Sequence, residues 1–382
     1  MRLTFSQLQF LREFTAPLPN ITPQNHLKVA ATLREQYGQE NASALIETAM
    51  LRERAREKFS RADEMLFDRA GLEMSSAEPI STHRAKRYAQ FTHVADLGCG
   101  IGGDALGLAQ HAHVTAIDRD PVRLALAQHN LAVYNRADRL TTVQADLTTL
   151  APFPIDALFF DPARRDERGK RIHSLSAYRP PLATLDRWRD QTTAWGVKVS
   201  PAVDLAEVDD SAEVEFISLN GDLREAVLWY GDLKTGAKTT ATLLPSGETM
   251  TSNLPASSFI LHPSSFLYEP DPAILRAGLV QQLAAQINAA QIDESIAFLT
   301  SNGEIESPFA RRFTVEDWFP FQLKRLRSYL RERGVGSVTI KKRGSPLDVE
   351  QLRRQLRLKG SATRTVILTI VKGQPAVIVC SG

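Results

Sequence analysis

The densest chemistry-bearing pattern in the 382-residue chain is VADLGCGIGGDALGLA, residues 94–109. An apolar run carrying Asp96 leads into glycines at 98, 100, 102 and 103. Such a turn lets a ligand approach the backbone closely, and the helix that follows it would offer unpaired amide donors. The spacing fits two ligands. Gly98, Gly100 and Gly103 satisfy the G-x-G-x-x-G dinucleotide pattern, whereas Asp96, Gly98, Gly100 and Gly102 satisfy the D-x-G-x-G-x-G turn of S-adenosylmethionine (SAM) sites. Charge separates them, because a carboxylate at Asp96 would repel a pyrophosphate but bind the cationic amino group of a methionine moiety. Asp118 closes VTAID about 20 residues beyond Gly98, where an acid accepts hydrogen bonds from two ribose hydroxyls. Asp146, after VQA, is placed to accept from the adenine amino group, unless it only opens a loop.

A second constellation is DALFFDPARR, residues 156–165. SAM enzymes that methylate a base amine carry here Asp or Asn, then Pro-Pro, then an aromatic residue. The acid or amide and the first proline's carbonyl accept the two amine hydrogens and turn the nitrogen lone pair toward the methyl group. Asp161 and Pro162 keep that half, while Ala163 and Arg164 stand in place of the second proline and the aromatic. The planes of Arg164 and Arg165 would stack on a base or hold its phosphate. Methylation of pyrimidine carbon 5 needs a cysteine adduct near this strand or the next, and neither DPARR nor KVSPAVD contains one. Direct transfer to nitrogen or oxygen is what remains. His83 and Arg84, in THRAKR, either line the site's mouth or belong to the surface.

These residues need a scaffold that gathers strand ends. HVADLG, HVTAID, LTTVQAD, DALFFDP and GVKVSP are short β-rich runs separated by segments long enough for helices, which predicts a parallel sheet covered on both faces. EVEFISL, EAVLWYG and TTATLLP have no room for helices between them and should close the sheet antiparallel. Residues 1–90 show three- and four-residue apolar spacing and read as a helical region. Residues 91–250 form the sheet domain. Residues 251–307 read as a connecting α/β, ferredoxin-like segment, with DPAILRAGLVQQLAAQINAA as one helix. The tail, 308–382, reads helix, strand, helix and two strands, a small α/β domain.

Composition sets the remaining bounds. The chain is 43% apolar and 24% charged, as in ordinary globular proteins. No apolar run approaches the ~20 residues of a membrane helix, and the N-terminus lacks a signal-peptide core, so a cytoplasmic location without membrane contact is expected. Cys99 and Cys380 match no zinc or redox spacing, and no metal is expected. The net charge of +2 is unevenly spread. Residues 311–372 carry 16 Lys or Arg against 5 Asp or Glu, with Lys341, Lys342 and Arg343 in one run. That imbalance favours a nucleic-acid surface over merely solvated helix faces.

With these motifs the chain resembles the class I SAM-dependent methyltransferases. More narrowly, it resembles a bacterial family with a DPARR fourth motif and a THUMP-like C-terminal domain. DLGCGIGGDALGLA, FFDPARR, YEPDPAILRAGL and the tail from FTVEDWFPFQLKRLRSYL to VTIKKRG carry the resemblance. A looser similarity, through KFSRADEMLFDRAGLEMSSAEPISTHRA and the GIGGD turn, is to trimethylguanosine synthases, which methylate a guanine exocyclic amine. The resemblance implies a Rossmann-like seven-stranded sheet, SAM as cofactor, and structured RNA, either tRNA or rRNA, as substrate. Two other classes stay open on the residues alone. One is a binding protein that kept the fold without catalysis. The other is a nicotinamide-dependent oxidoreductase, which Asp96 argues against.

Overall fold

The computed structural model describes residues 3–163 and 174–381, so Arg164 and Arg165 lie outside the described residues. The chain divides into two compact units, 1–214 with 225–236, and 215–224 with 237–382. The first sheet comprises β1 (His93–Leu97), β2 (His113–Asp118), β3 (Leu140–Gln144), β4 (Ala157–Phe160), β5 (Trp195–Val199), β6 (Glu213–Leu219), β7 (Asp222–Trp229), β8 (Thr239–Leu244) and β9 (Glu248–Thr251). Their order is β3-β2-β1-β4-β5-β7-β6-β8-β9. Strands β1 to β5 pair in parallel, and β7 pairs antiparallel to β5. The sheet therefore carries nine strands where seven were expected. GETMT folds back on TTATLL as the β8–β9 hairpin, turning at Gly247 (φ 78).

Strands β4 and β5 are buried at every position, as expected of parallel strands covered on both faces. Helices α5 (Gly103–Leu108) and α6 (Pro121–Val133) make the first two crossovers. The later crossovers differ from expectation. Between Ser174 and β5 the chain makes only 3₁₀ turns, Leu175–Ala177 and Leu182–Trp188. Pro180 and Pro181, which cannot donate to a helical ladder, lie between those turns.

Ahead of the sheet lie α1 (Phe5–Glu13), α2 (His26–Ala55), α3 (Arg69–Met74) and α4 (Glu78–Ala85). A capping box between Thr4 and Gln7 starts α1, and the two stretches of α2 meet at Gly38 (φ 77). Asn130 of α6, fully buried, ties this region to the glycine turn. Its Oδ1 accepts from Leu66 N at 2.9 Å, and its Nδ2 donates to Leu66 O and Ile101 O, each at 3.0 Å.

In the second unit, the expected single helix after Asp271 is broken into α7 (Pro272–Ala277) and α8 (Val280–Gln286). Gly278, at φ 71, terminates α7 in the left-handed conformation, a common helix stop. The second sheet contains β10 (Phe266–Pro270), β11 (Ala290–Asp293), β12 (Ile296–Ser301), β13 (Ala310–Pro320), β14 (Val335–Lys342), β15 (Ala362–Val371) and β16 (Gln374–Ser381). Their order is β11-β12-β10-β13-β16-β15-β14. Helices α9 (Leu323–Glu332) and α10 (Val349–Leu356) bury Leu326, Tyr329, Leu330, Leu352 and Leu356 in one cluster with Val366, Leu368, Val377 and Val379. Their opposite faces expose Lys324, Arg325, Arg331, Arg353 and Arg354. Among the described residues, no helix is long and apolar enough to cross a membrane, and no three His, Cys, Asp or Glu side chains cluster as metal ligands would.

Candidate cofactor and transfer site

Strand order reverses between β1 and β4, and the carboxyl edge at such a switch point is the place where open parallel sheets bind ligands. Asp96, Gly98, Gly100, Asp118 and Asp161 all gather at this edge. Register explains how. Leu97 pairs with Phe160, and Asp161, the residue after β4, is drawn in by a bond from its N to Leu97 O (3.1 Å). The backbones run so close that a Cβ on Gly98 would lie 2.8 Å from Asp161 O. Gly98 therefore keeps β4's end against the turn. Gly102 serves α6 instead, since its Cβ would press on Ala127 and Leu131. Gly100 differs: at φ +53, a Cβ there would meet nothing within 4 Å.

Asp118 braces the turn. Its Oδ2 accepts from Gly100 N (3.0 Å) and its Oδ1 from Asp120 N (2.9 Å), and each oxygen keeps a second lone pair for ribose hydroxyls. Asp120 is the residue that caps α6, through Val122 N. Asp146 is exposed, and its Oδ1 accepts from the Thr148 hydroxyl (2.7 Å) and amide (2.8 Å). Those bonds hold its carboxyl below the usual range.

Asp96 carries the strongest sign of a missing ligand. It is fully buried, and neither carboxylate oxygen has a hydrogen-bond partner among the described residues. Burial, then the nearby carboxylates of Asp104 and Asp161, pushes its carboxyl well above the ordinary range. A buried orphan acid is costly unless something cationic completes it. The ammonium of SAM is such a group, so these residues fit the cofactor.

Around it lies a charge cluster of which sequence reading names Asp161 and, as lining the site's mouth or belonging to the surface, Arg84, but not Lys198, Asp104 or Glu225. Arg84 of α4 is 2% exposed; it pairs with Asp104 of α5 and, at 2.8 Å, with Glu225 of β7. Its guanidinium stacks 4.6 Å over the Phe159 ring. Burial opposes its charge, but Asp104 and Glu225 outweigh that and raise its pKa. Lys198 of β5, also fully buried, lies 2.5 Å from Asp161 Oδ2 and 3.6 Å from Asp104 Oδ2. Among the described residues, four acids thus face two bases, an excess suited to a cation. Arg84→Met would strand two buried carboxylates and is expected to destabilise the fold by about 3–5 kcal/mol. Urea unfolding would measure it, and a loss under about 1 kcal/mol would remove Arg84 from the cluster's support.

Pro162 is buried, and Ala163, exposed, exchanges backbone hydrogen bonds with Arg179. In the second unit, Lys341 pairs with Glu269, and Lys342 Nζ donates to Leu347 O (3.1 Å). Arg343 lies 5.0 Å over Phe298, and burial lowers its pKa against the pull of Glu269.

Comparison with known proteins agrees with this chemistry. An uncharacterized S-adenosylmethionine-dependent methyltransferase of Mycobacterium tuberculosis is 35% identical over 353 residues, spanning 88% of this chain and 95% of its own. The chain belongs to the S-adenosylmethionine-dependent methyltransferases. SAM is accordingly its cofactor, and the dinucleotide reading of the glycine turn falls. A family model described as RNA cap guanine-N2 methyltransferase matches residues 91–185 of this methyltransferase, and one described as THUMP domain-like matches 310–382. Trimethylguanosine synthase of Schizosaccharomyces pombe is 31% identical over 94 residues, 23% of this chain and 39% of its own. A crystal structure of a candidate methyltransferase from Porphyromonas gingivalis W83 superposes with a TM-score of 0.74 at 20% identity, covering 95% of this chain and 99% of that one. It shares the fold.

Proposed function

We propose that this methyltransferase modifies a base nitrogen of structured RNA, tRNA or rRNA. The observation that carries the reading is the placement of Asp161 and Pro162 at the end of β4, drawn against the glycine turn by the bond from Asp161 N to Leu97 O. At that point the Asp161 carboxylate and the Pro162 carbonyl accept the two hydrogens of an exocyclic amine and aim its lone pair. Bound SAM supplies a methyl whose bond to sulfur breaks with the electron pair left on sulfur, while the amine lone pair forms the new bond. The nitrogen's surplus proton leaves to solvent by way of Asp161. Asp96 binds the cofactor's ammonium, Asp118 its ribose hydroxyls and Asp146 its adenine amine, beside the backbone of Gly98, Gly100 and Gly102.

RNA as the acceptor class is supported by the cap guanine-N2 match over 91–185 and the THUMP-like match over 310–382. The exposed cations of α9 and α10 suit a phosphate backbone, whose contacts are charge-driven. In this reading Lys341, Lys342 and Arg343 also contact RNA, although Lys341 pairs with Glu269 and Arg343 packs over Phe298, away from the α9 and α10 face, and Arg164 and Arg165 hold the acceptor base or its phosphate. Labelled methyl from SAM should appear in small or ribosomal RNA, with DNA and protein fractions run alongside. Nucleoside analysis should then place it on a base nitrogen. Label in DNA or protein alone would overturn the substrate.

A further inference from the structure

Lys198 stands out among the charged residues that no motif announces. Its side chain is 0% exposed on the all-buried strand β5. Desolvating an ammonium costs several kcal/mol, and an apolar side chain of similar size would pack there without that cost. The ammonium instead reaches three separate elements. Nζ lies 2.5 Å from Asp161 Oδ2, 3.6 Å from Asp104 Oδ2 in α5, and 3.3 Å from Met74 O, which it can donate to. Arg84 already engages Asp104 and Glu225. The closest contact of Lys198 is with the acid at the transfer edge.

We infer that Lys198 is a positioning residue for methyl transfer, fixing the plane of the Asp161 carboxylate and keeping it ionised among neighbouring acids. The inference rests on the role proposed above for Asp161. Among the described residues, Asp96 from β1, Asp104 from α5 and Arg84 from α4 face this pair, with Glu225 from β7 and the Tyr88 phenol, whose hydroxyl donates to Leu158 O at 2.9 Å, behind Arg84. Without Lys198, Arg84 is the one protein cation that the described residues place beside Asp104, Asp161 and Glu225, and the cluster relieves itself by binding a proton. A protonated Asp161 offers the acceptor amine one lone pair fewer and cannot take up the surplus proton. Turnover then depends on raising the pH.

The test uses the full-length protein as Lys198→Met, Lys198→Arg, Asp161→Asn and the double variant K198M/D161N. Lys198→Met should bind SAM within about threefold of wild type while kcat at pH 7 falls about 100-fold and recovers as pH rises. Lys198→Arg should keep the wild-type pH profile, and the double variant should transfer no worse than Asp161→Asn alone. A kcat loss independent of pH, or one that multiplies the Asp161→Asn loss in full, would overturn the inference in favour of a purely structural ion pair. Infrared difference spectra of the SAM-bound proteins between pH 7 and higher pH need no RNA. Lys198→Met should show a protonated-carboxyl band at pH 7 beyond that of wild type, and the extra band should vanish in the double variant. Its absence, or its persistence in the double variant, would also overturn the inference. Failure to label any RNA would instead sink the substrate reading and leave the carboxyl band standing. If Lys198→Met does not fold, Lys198→Gln, neutral but still a donor, should shift the same readouts in the same direction, and no shift would overturn the inference.

Discussion

Alanine at Asp161 is expected to lower methyl transfer by about 10³-fold while SAM affinity stays within about threefold of wild type. The magnitude combines a lost orienting acceptor with a lost proton acceptor, each commonly worth about 10–100-fold when the reacting atoms must be held in line. The cofactor's polar groups are assigned to Asp96, Asp118 and Asp146, so affinity should survive. Some stability should be lost, because the buried Lys198 keeps only the longer contacts to Asp104 at 3.6 Å and Met74 O at 3.3 Å among those described, so the thermal midpoint is measured alongside. Asparagine is the informative companion. Its amide oxygen still accepts an amine hydrogen but takes up no proton, so Asp161→Asn should fall between wild type and alanine, about 10–100-fold down. Single-turnover transfer at saturating RNA, with SAM affinity measured by calorimetry, separates the effects. Full turnover by the alanine variant would remove Asp161 from the chemistry, and a parallel collapse of SAM binding would make it a cofactor ligand instead.

The sequence exposed the parts of this site that have a fixed spacing. The glycine turn, the acid closing β2 and the acid after β4 were legible because a βα turn, a strand end and a crevice impose positions on them. What stayed open or hidden has no local period. THRAKR left Arg84 between the site's mouth and a solvated surface, and its 2% exposure rules out the surface. Lys198 left a trace, a lone charge inside the apolar strand GVKV, but only the assembled sheet brings it to Asp161. The split of α7 from α8 was signalled by Gly278 inside a helical pattern. The glycines, alike in sequence, differ in purpose: Gly98 and Gly102 admit neighbouring chain, whereas Gly100 faces open space. Asp146 also already serves the turn it opens, through Thr148. A spacing rule reports where such residues are and leaves open what each one touches.

The second large effect belongs to Asp96. Its folded carboxyl lies above the ordinary carboxylate range because of burial, reinforced by Asp104 and Asp161. The sign of the consequence follows from proton linkage. A pKa raised on folding means the ligand-free fold binds more protons than the unfolded chain, so the stability it confers is present at low pH and is lost as pH rises toward the folded pKa. Binding SAM's ammonium requires the ionised form. SAM affinity should therefore increase with pH, by up to about tenfold per unit, until Asp96 is ionised in the free protein, with proton release to match. Asparagine at this position separates the two costs. It removes the buried charge, so the ligand-free thermal midpoint at pH 8 should equal or exceed wild type's. It also removes the partner of the ammonium, so SAM affinity should fall about 10²-fold or more and the proton release assigned to Asp96 should disappear. A variant that gains stability while losing its cofactor would show that the fold tolerates this acid for the sake of the ligand. An Asp96→Asn protein that binds SAM as wild type does, with the same pH slope, would place the ammonium elsewhere in the crevice.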